Sequence, residues 1–200
     1  DSNPPWATIA YHELGSRVGE PFRSNCSSIH VDAYKNPCMK TFPHRFFLDE
    51  LANPDRSLDV INVRQQIGGG VRLHRVGGQL LAECKSEAAI FVHSRYYNRT
   101  RGYDSAKICR MHMSRGRLMT LFEDDQFDKW LADAEGYESV RELAKMCTIR
   151  ISFVRGWGKW NKENPLLTNV PCWIEIKLQR PLDKIHETVQ QMRTLHKMYC

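Results

Sequence analysis

The chain has 200 residues, of which 29 are Lys or Arg and 23 are Asp or Glu, so its formal net charge is +6. Its hydrophobic fraction of 42% and charged fraction of 26% exclude a disordered chain, and no apolar run reaches the ~20 residues of a membrane span. The length favours one domain covering residues 1–200. The basic residues nowhere form a run of five, so no DNA-binding arm is predicted.

The first part of the chain alternates between turn formers and short stretches of β-branched or aromatic residues, which predict strands. We expect these strands at residues 6–14, 27–34 and 45–51. A helix-like run follows Asn53-Pro54-Asp55, with apolar residues at Leu58, Ile61, Val63 and Ile67. The glycines at 68–70 lack the Lys-Ser/Thr of a phosphate-binding loop. They are therefore interpreted as the stop of this helix and a tight turn.

The middle of the chain predicts further strands at 71–76, 79–84 and 89–97. Gly77-Gly78 joins the first two strands as a hairpin turn. A second hairpin across residues 114–116 is expected to connect strands at 107–113 and 117–123. Short strands at this spacing are typical of an all-β sandwich or barrel.

The last third of the chain adds helices to the strands. Amphipathic helices are predicted at 124–134 and 137–146, and an alternating strand at 148–155 precedes a polar loop at 156–170. After a strand at 171–178, Pro181 begins a final helix with an apolar stripe at Leu182, Ile185, Val189 and Met192. The pattern predicts a mainly β fold, a two-sheet β-sandwich flanked by helices.

The sequence carries no pattern of an enzyme or a metal site. Cys109 and His112 would face opposite sides of a strand, and His196 with Cys200 supplies only two of the four ligands that zinc needs. Hydrolase elbows and zinc-protease motifs are missing as well. We therefore predict no catalytic residue, no metal and no cofactor. Seven cysteines without a C-x-x-C pair predict reduced, intracellular thiols.

Two segments closely resemble the C-terminal Mad-homology domain of Smad proteins, CTIRISFVRGWG at 147–158 and PCWIEIKL at 171–178. Similar blocks follow in the family's order through nearly the whole chain: WATIAYHELGSRVGEPF at 6–22, RFFLDELAN at 45–53, IGGGVRL at 67–73 and AECKSEAAIFVHS at 82–94. The receptor-regulated type is most similar, since no long insert separates Glu123 from Thr148. The resemblance implies a Smad/FHA-like β-sandwich with a helical bundle at one end and a loop-and-helix surface at the other.

The resemblance also implies a function in signalling from transforming-growth-factor-β (TGF-β) type receptors. The domain is expected to bind a type I receptor serine/threonine kinase and to form homo- or hetero-trimers with other Smad proteins through phosphorylated tails. It would move from the cytoplasm to the nucleus and contact transcription cofactors. Neither catalysis, membrane insertion nor direct DNA contact is expected of it, because Smads contact DNA through a separate N-terminal domain that we do not expect within this chain.

Matched motifs place three arginines in the phosphoserine pocket that the resemblance implies. Arg110 and Arg155 stand where the family has Lys, and Arg141 aligns with a Tyr. A phosphoserine carries about −1.5 to −2 charges at pH 7, and the planar guanidinium group binds phosphate bidentately. We therefore expect a stronger anion clamp than the family's Lys/Lys/Tyr set.

Two further regions carry the choice of partner in the family. Receptor or partner contact is expected through the loop residues Gly156, Trp157, Gly158, Lys159, Trp160 and Lys162. The loop at 159–170 differs from the family's usual sequence, so the receptor branch stays open. His186 replaces an Asp that pairs across the trimer interface. Assembly is therefore expected to be weaker or to use other partners, and to respond to pH near 6.

The end of the sequence differs from that of receptor-regulated Smads, which finish in Ser-Ser-x-Ser. Here Gln191-Met192 is followed by RTLHKMYC, and we expect the natural protein to continue beyond Cys200 into the phosphorylated serines. The alternative is an atypical member that is driven by a phosphorylated partner. Two other classes stay open, a phosphopeptide-binding module that does not trimerise and, given a pI of about 9.0, a direct nucleic-acid binder.

Overall fold

Residues 4–34 and 43–199 are the part of the chain that the computed structural model describes. Buried and half-exposed side chains alternate along the whole of the first strand, as expected where one face of a sheet meets the core. The strands in this part are β1 (Ala7–Glu13), β2 (Ser16–Arg17), β3 (Phe22–Ser24), β4 (Ser28–Ala33), β5 (Arg45–Phe47), β6 (Gly68–Val76), β7 (Gln79–Cys84), β8 (Ile90–His93), β9 (Cys109–Met111), β10 (Met119–Glu123), β11 (Thr148–Phe153) and β12 (Trp173–Leu178). The helices are α1 (Leu58–Arg64), α2 (Arg95–Thr100), α3 (Asp124–Ala132), α4 (Gly136–Ala144) and α5 (Gln179–Tyr199).

The strands form two sheets that confirm the predicted sandwich. One sheet has the order β2-β1-β12-β11-β8-β9, and β3 also pairs with β1. The other has the order β10-β7-β6-β4-β5, in which β4 and β5 are parallel. A buried ion pair joins these two parallel strands, because Arg45 Nε donates to Asp32 Oδ2 over 2.8 Å.

The core lies where the apolar faces of the two sheets meet, and its residues form one buried cluster. Strands of the first sheet supply fully buried residues such as Ile9, Ile151 and Ile174, and the second sheet supplies Ile29 and Leu73. The helices extend this cluster at one end of the sandwich. Their main contributions are the rings of Phe127, Tyr96 and Trp130, which pack with Phe122 of β10, and the aliphatic side chains of Val140, Leu143 and Ile185.

The predicted hairpin at Gly77-Gly78 is confirmed, since β6 and β7 pair directly and both glycines have positive φ. The predicted helices at 124–134 and 137–146 appear as α3 and α4. The stripe of α5 is confirmed as well, because Ile185 is buried and its other members pack against the core: Leu182, Val189 and Met192. This helix begins at Gln179, not at Pro181, and the Trp6 carbonyl accepts from the Gln179 amide, which has no partner within the helix. Pro181 still lies in the first turn, where its missing N–H costs nothing.

The predicted strand at 89–97 was wrong in its second half. β8 ends at His93, and α2 begins two residues later. The cause is Ser94, whose hydroxyl accepts from the Tyr97 amide as an N-cap and donates to the buried Leu121 carbonyl. A serine at this position is a helix-start signal that strand propensity concealed.

The predicted hairpin between 107–113 and 117–123 was also wrong. β9 pairs with β8 in the first sheet, whereas β10 pairs with β7 in the second. The segment between them crosses from one sheet to the other through a short 3₁₀ turn at Met113–Arg115. Because both strands have long-range partners, their closeness in sequence does not decide their pairing.

The helix predicted after Asn53-Pro54-Asp55 is confirmed as α1, but two of the apolar residues that predicted it do not face the core. Leu58 and Ile61 are exposed, and the buried residues of the helix are Val60, Val63 and Arg64. The glycines after the helix open β6 rather than a free turn. A Cβ on Gly70 would lie 2.0 Å from the Val31 carbonyl oxygen, so the close approach of β4 requires glycine there.

Five cysteines within the described ranges are free thiols: Cys26, Cys84, Cys109, Cys147 and Cys172. Cys38 and Cys200 lie outside those ranges, as does the expected continuation of the chain. No described helix is long and apolar enough to cross a membrane. Within the same residues, no group of three or more His, Cys, Asp or Glu side chains could hold a metal ion.

We expect acid to destabilise the fold, because three of its histidines are half-buried. Burial lowers the pKa of His12, His30 and His93. Each folded histidine therefore stays neutral at a pH where its unfolded counterpart, with a pKa of about 6.5, already binds a proton. The stability that each neutral histidine contributes is therefore fully present above the unfolded pKa. It is lost as the pH falls through the unfolded pKa towards the lower pKa of the folded state.

Urea unfolding at pH 7.5 and pH 5.5 measures this loss. His93→Gln is expected to reduce the loss, since a glutamine amide can still donate to the Ser105 carbonyl that His93 Nε2 contacts at 2.8 Å. His186→Gln on the exposed face of α5 is the control. An unchanged loss of stability in His93→Gln would contradict the interpretation.

Candidate functional site

The loop after β11 begins with a sharp reversal of the backbone. Val154 adopts a positive φ of 70°, and its amide donates to the Ala89 carbonyl. The Ser152 hydroxyl donates to the Arg155 carbonyl over 2.6 Å. These contacts hold the start of the loop against β8, so residues 156–162 lie across the face of that strand.

Two residues fix the path of the loop itself. A Cβ on Gly156 would lie 2.7 Å from Cδ1 of Phe91, so only glycine lets the backbone cross this ring. Asn161 then closes the loop, because its Nδ2 donates to the Gly156 carbonyl and its Oδ1 accepts from the Glu163 and Asn164 amides. The loop is therefore organised before any partner binds.

This packing gives a direct prediction for Gly156→Ala. The new methyl group must displace either the Phe91 ring or the loop, and overpacking of this kind costs about 1–3 kcal/mol of unfolding free energy. Gly15→Ala is the matched control, since a Cβ there meets Thr168 at an ordinary 3.8 Å. Urea unfolding of both variants measures the difference, and equal stabilities would refute the role of the ring contact.

The loop forms one wall of a cavity of about 700 Å³, which we name the loop cleft. Phe91 lies in it, and the segment that leads into β9 forms the facing wall. The cleft contains Arg110 together with every predicted partner-loop residue. Its lining is Phe91, Asp104, Ala106, Lys107, Ile108, Arg110, Gly156, Trp157, Gly158, Lys159, Trp160, Asn161 and Lys162.

Positive charge dominates the loop cleft. Its lining contains one carboxylate, Asp104, and four cationic side chains: Lys107, Arg110, Lys159 and Lys162. The Trp160 ring is 90% exposed, with Lys159 Nζ 5.4 Å from its centroid. Because lysine ammonium and arginine guanidinium groups are the usual donors to phosphate and carboxylate, the cleft is suited to an anionic ligand beside an exposed aromatic contact.

Arg155 lies next to this cleft but already has a partner. Its guanidinium donates to both carboxylate oxygens of Asp59 on α1, over 2.7 and 2.6 Å. The pair is about half exposed, so an incoming anion competes with one carboxylate in partly aqueous surroundings. Arg155 thus connects the loop to α1.

Arg141 and His186 lie on the helical side of the molecule. Arg141 is on α4, with an exposed ion pair to Glu138 at 3.6 Å. His186 is on the exposed face of α5. Neither lines the loop cleft as the described residues form it, so the structure groups Arg110 with the loop and places Arg141 elsewhere.

Sequence reasoning overlooked Lys107 and Asp104, which complete the facing wall. A signal was available, because residues 95–117 contain seven Lys or Arg and only one acidic residue, Asp104. This density does not take the form of an uninterrupted basic run. The spacing distributes the charges over a helix end, a turn and a strand, which the fold then brings together.

The sandwich, its terminal helices and an organised basic loop cleft define a protein-interaction module. The chain matches the model of the MH2 domain over residues 4–179, and it belongs to this family. The predicted resemblance to the C-terminal Mad-homology domain of Smad proteins is thereby confirmed. Domains of this family mediate protein–protein interaction in Smad-type signalling.

Solved structures support the same fold. The chain is similar to the IAD domain of interferon regulatory factor 9, with 10% identity and a TM-score of 0.63 over 98% of this chain and 94% of that one. It is also similar to a chain in the crystal structure of STAT2 in complex with IRF9, with 10% identity and a TM-score of 0.60 over 89% of this chain and 93% of the other. At this identity the likeness concerns the fold alone.

Proposed function

We propose that this domain binds phosphorylated serine tails and transmits signals from TGF-β-type receptors. Its partners would be a type I receptor serine/threonine kinase, other Smad proteins in phosphotail-linked trimers, and transcription cofactors. It would move from the cytoplasm to the nucleus, and the proposal gives it no catalytic role. Family membership supports interaction and signalling, and the loop cleft supports the anionic nature of the ligand.

The observation that carries the proposal is the excess of four cations over one carboxylate in the loop cleft. Two phosphoserines bring about −3 to −4 charges at pH 7, which this excess approximately neutralises. Asn161 and Gly156 hold the loop in place, so ordering it costs little on binding. Arg110 is the central donor because it comes from a sheet strand and not from the loop.

The two other predicted arginines enter the proposal differently. Arg155 would exchange Asp59 for a phosphate, or stay paired and hold the loop. Arg141 would contribute from the exposed surface of α4. The loop residues Trp157, Lys159 and Trp160 would contact the receptor or another partner.

The test compares a peptide carrying two phosphoserines in pSer-x-pSer spacing with its unphosphorylated form. Fluorescence anisotropy at 150 mM salt is expected to show binding at least about tenfold tighter for the phosphorylated peptide, since each charge-assisted hydrogen bond adds roughly 1.5–3 kcal/mol. Equal affinity for both peptides would refute the proposal. Light scattering with the peptide present separates trimer formation from a module that binds without assembling.

A nucleic-acid binder would behave differently in the same assay. Its affinity for an arbitrary duplex would fall steeply with salt, because binding releases counterions. We expect no such duplex binding at 150 mM salt. Duplex affinity above that for the phosphopeptide would favour the nucleic-acid class instead.

A further inference from the structure

A second cavity lies along the other side of β9, and we name it the strand groove. It has a volume of about 460 Å³ and is bordered by the end of α2, the turn before β9 and the crossing segment after it. Five cationic side chains line it, and no acidic residue does: Arg101, Lys107, Arg110, Arg115 and Arg117. Five exposed cations around one groove give it a positive potential that attracts an anionic ligand.

These cations have no ion-pair partner among the residues that the structure describes. Within residues 4–34 and 43–199, none of the five has a carboxylate within ion-pair distance, whereas buried Arg45 and Arg64 and exposed Arg155 all do. Two of the five rest on aromatic rings instead. Lys107 Nζ is 3.3 Å from the Tyr103 ring centroid, and the Arg101 guanidinium is 5.4 Å from that of Tyr97. The rings orient the charges without neutralising them.

The strand groove continues into the loop cleft. Lys107, Ile108 and Arg110 line both cavities, so an anion held by Arg110 has a basic surface on either side. A compact ligand would fill one cavity only. A ligand that occupies both must be elongated and must carry negative charge along its length.

The edge of the sheet favours a peptide as this ligand. β9 is the last strand in its sheet, and β8 is its pairing partner among the described strands. Its outer edge therefore offers backbone groups to an added strand, an interaction that gives main-chain hydrogen bonds to a peptide and not to a nucleic acid. Side chains of such a strand would reach Arg115 and Arg117 across the groove.

We propose that the strand groove binds an acidic segment that flanks the phosphoserines in the same peptide ligand. The inference rests on the proposed function and adds to it, because it assigns Arg115 and Arg117 to ligand choice. Phosphoserines alone would occupy the loop cleft. Glutamate, aspartate or further phosphoserines next to them would extend into the strand groove.

The experiment uses two pSer-x-pSer peptides that differ in their flanks, one with four Ala and one with four Glu on each side. The wild-type chain is expected to bind the Glu-flanked peptide about tenfold more tightly, as two or more partly exposed ion pairs provide. The double variant Arg115→Ala/Arg117→Ala should lose this preference and keep its affinity for the Ala-flanked peptide. Arg23→Ala/Arg193→Ala removes the same charge from exposed positions on β3 and α5 and should keep the preference.

The possible results separate the two proposals. If the wild-type chain binds neither peptide, the proposed function fails. If it binds both equally, the function stands and the strand groove is not a subsite. If both double variants lose the preference equally, the effect is one of net charge and the inference is wrong. Single-stranded RNA that binds more tightly than the Glu-flanked peptide, and depends on Arg115 and Arg117, would assign the groove to nucleic acid and overturn the inference.

Discussion

Replacing Arg110 with glutamate is expected to weaken binding of the diphosphoserine peptide by about 100-fold or more. The change removes a charge-assisted hydrogen bond and places a carboxylate against the phosphate, a combined loss of roughly 3 kcal/mol or more. Arg110 is the arginine that lines both the loop cleft and the strand groove. No other single predicted residue should have so large an effect.

The stability of the Arg110→Glu variant should be nearly that of the wild type. The side chain is exposed on an edge strand, and surface substitutions of this kind usually change stability by less than about 0.5 kcal/mol. Arg23→Glu is the matched control, because it reverses an exposed charge on β3 in the same sheet. A folded Arg110→Glu variant with undiminished peptide affinity would remove Arg110 from the site.

The parts of the fold that the sequence predicted well are those with a strong local signal. Gly77-Gly78 can adopt positive φ at both positions, which defines the β6–β7 turn without further information. Residues 148–153 alternate in polarity because one face of β11 meets the core. The stripe on α5 has the helical period and packs as predicted.

The errors arose where a distant partner decides the local structure. Residues 107–123 contain two strands and a glycine turn, which locally favour a hairpin. Their pairing is nevertheless set by β8 and β7, which belong to different sheets. A short apolar segment carries no information about which sheet edge is free, so spacing alone could not reveal the crossing.

In the candidate site, too, the features with a local sequence signal were predicted and those that depend on distant residues were not. The loop residues and Arg110 belong to recognisable motifs, and the structure brings them into one cleft. The partner of Arg155 is Asp59, 96 residues away in sequence, and no local pattern indicates it. The five cations of the strand groove are nowhere adjacent in sequence, so they become a group only after folding.

The buried carboxylate of Glu13 supports the largest stability prediction, because it organises the region below α1. It accepts from Arg56 Nε over 2.9 Å, Arg64 Nη1 over 3.2 Å, the Tyr11 hydroxyl over 2.9 Å and Asn53 Nδ2 over 2.6 Å. The Glu13 side chain is only 2% exposed and that of Arg64 only 7%. Each arginine also donates to a backbone carbonyl, at Leu51 or Leu48.

Glu13→Ala is expected to destabilise the protein by about 3–5 kcal/mol. The substitution removes the buried carboxylate partner of Arg64 and leaves it only the more exposed Asp49 carboxylate at 3.6 Å. A poorly compensated buried charge costs more than the lost contact itself. Urea unfolding followed by tryptophan fluorescence measures the change. Glu138→Ala, which removes a carboxylate from an exposed ion pair on α4, should have no measurable effect and serves as the control.

A double-mutant cycle identifies the cause of the loss. If the poorly compensated Arg64 charge is responsible, Glu13→Ala should cost at least about 1 kcal/mol less when Arg64 is already Met. Equal costs in both backgrounds would show that cavity formation, and not charge, is the dominant effect. The buried charges are also connected to the candidate site through α1. Arg64 is the last residue of this helix, and Asp59 near the start of the helix accepts from Arg155 at the beginning of the loop. We therefore expect Glu13→Ala to raise hydrogen exchange of the α1 amides before those of β11, because loosening α1 does not disturb the pairing of β11 with β8 and β12.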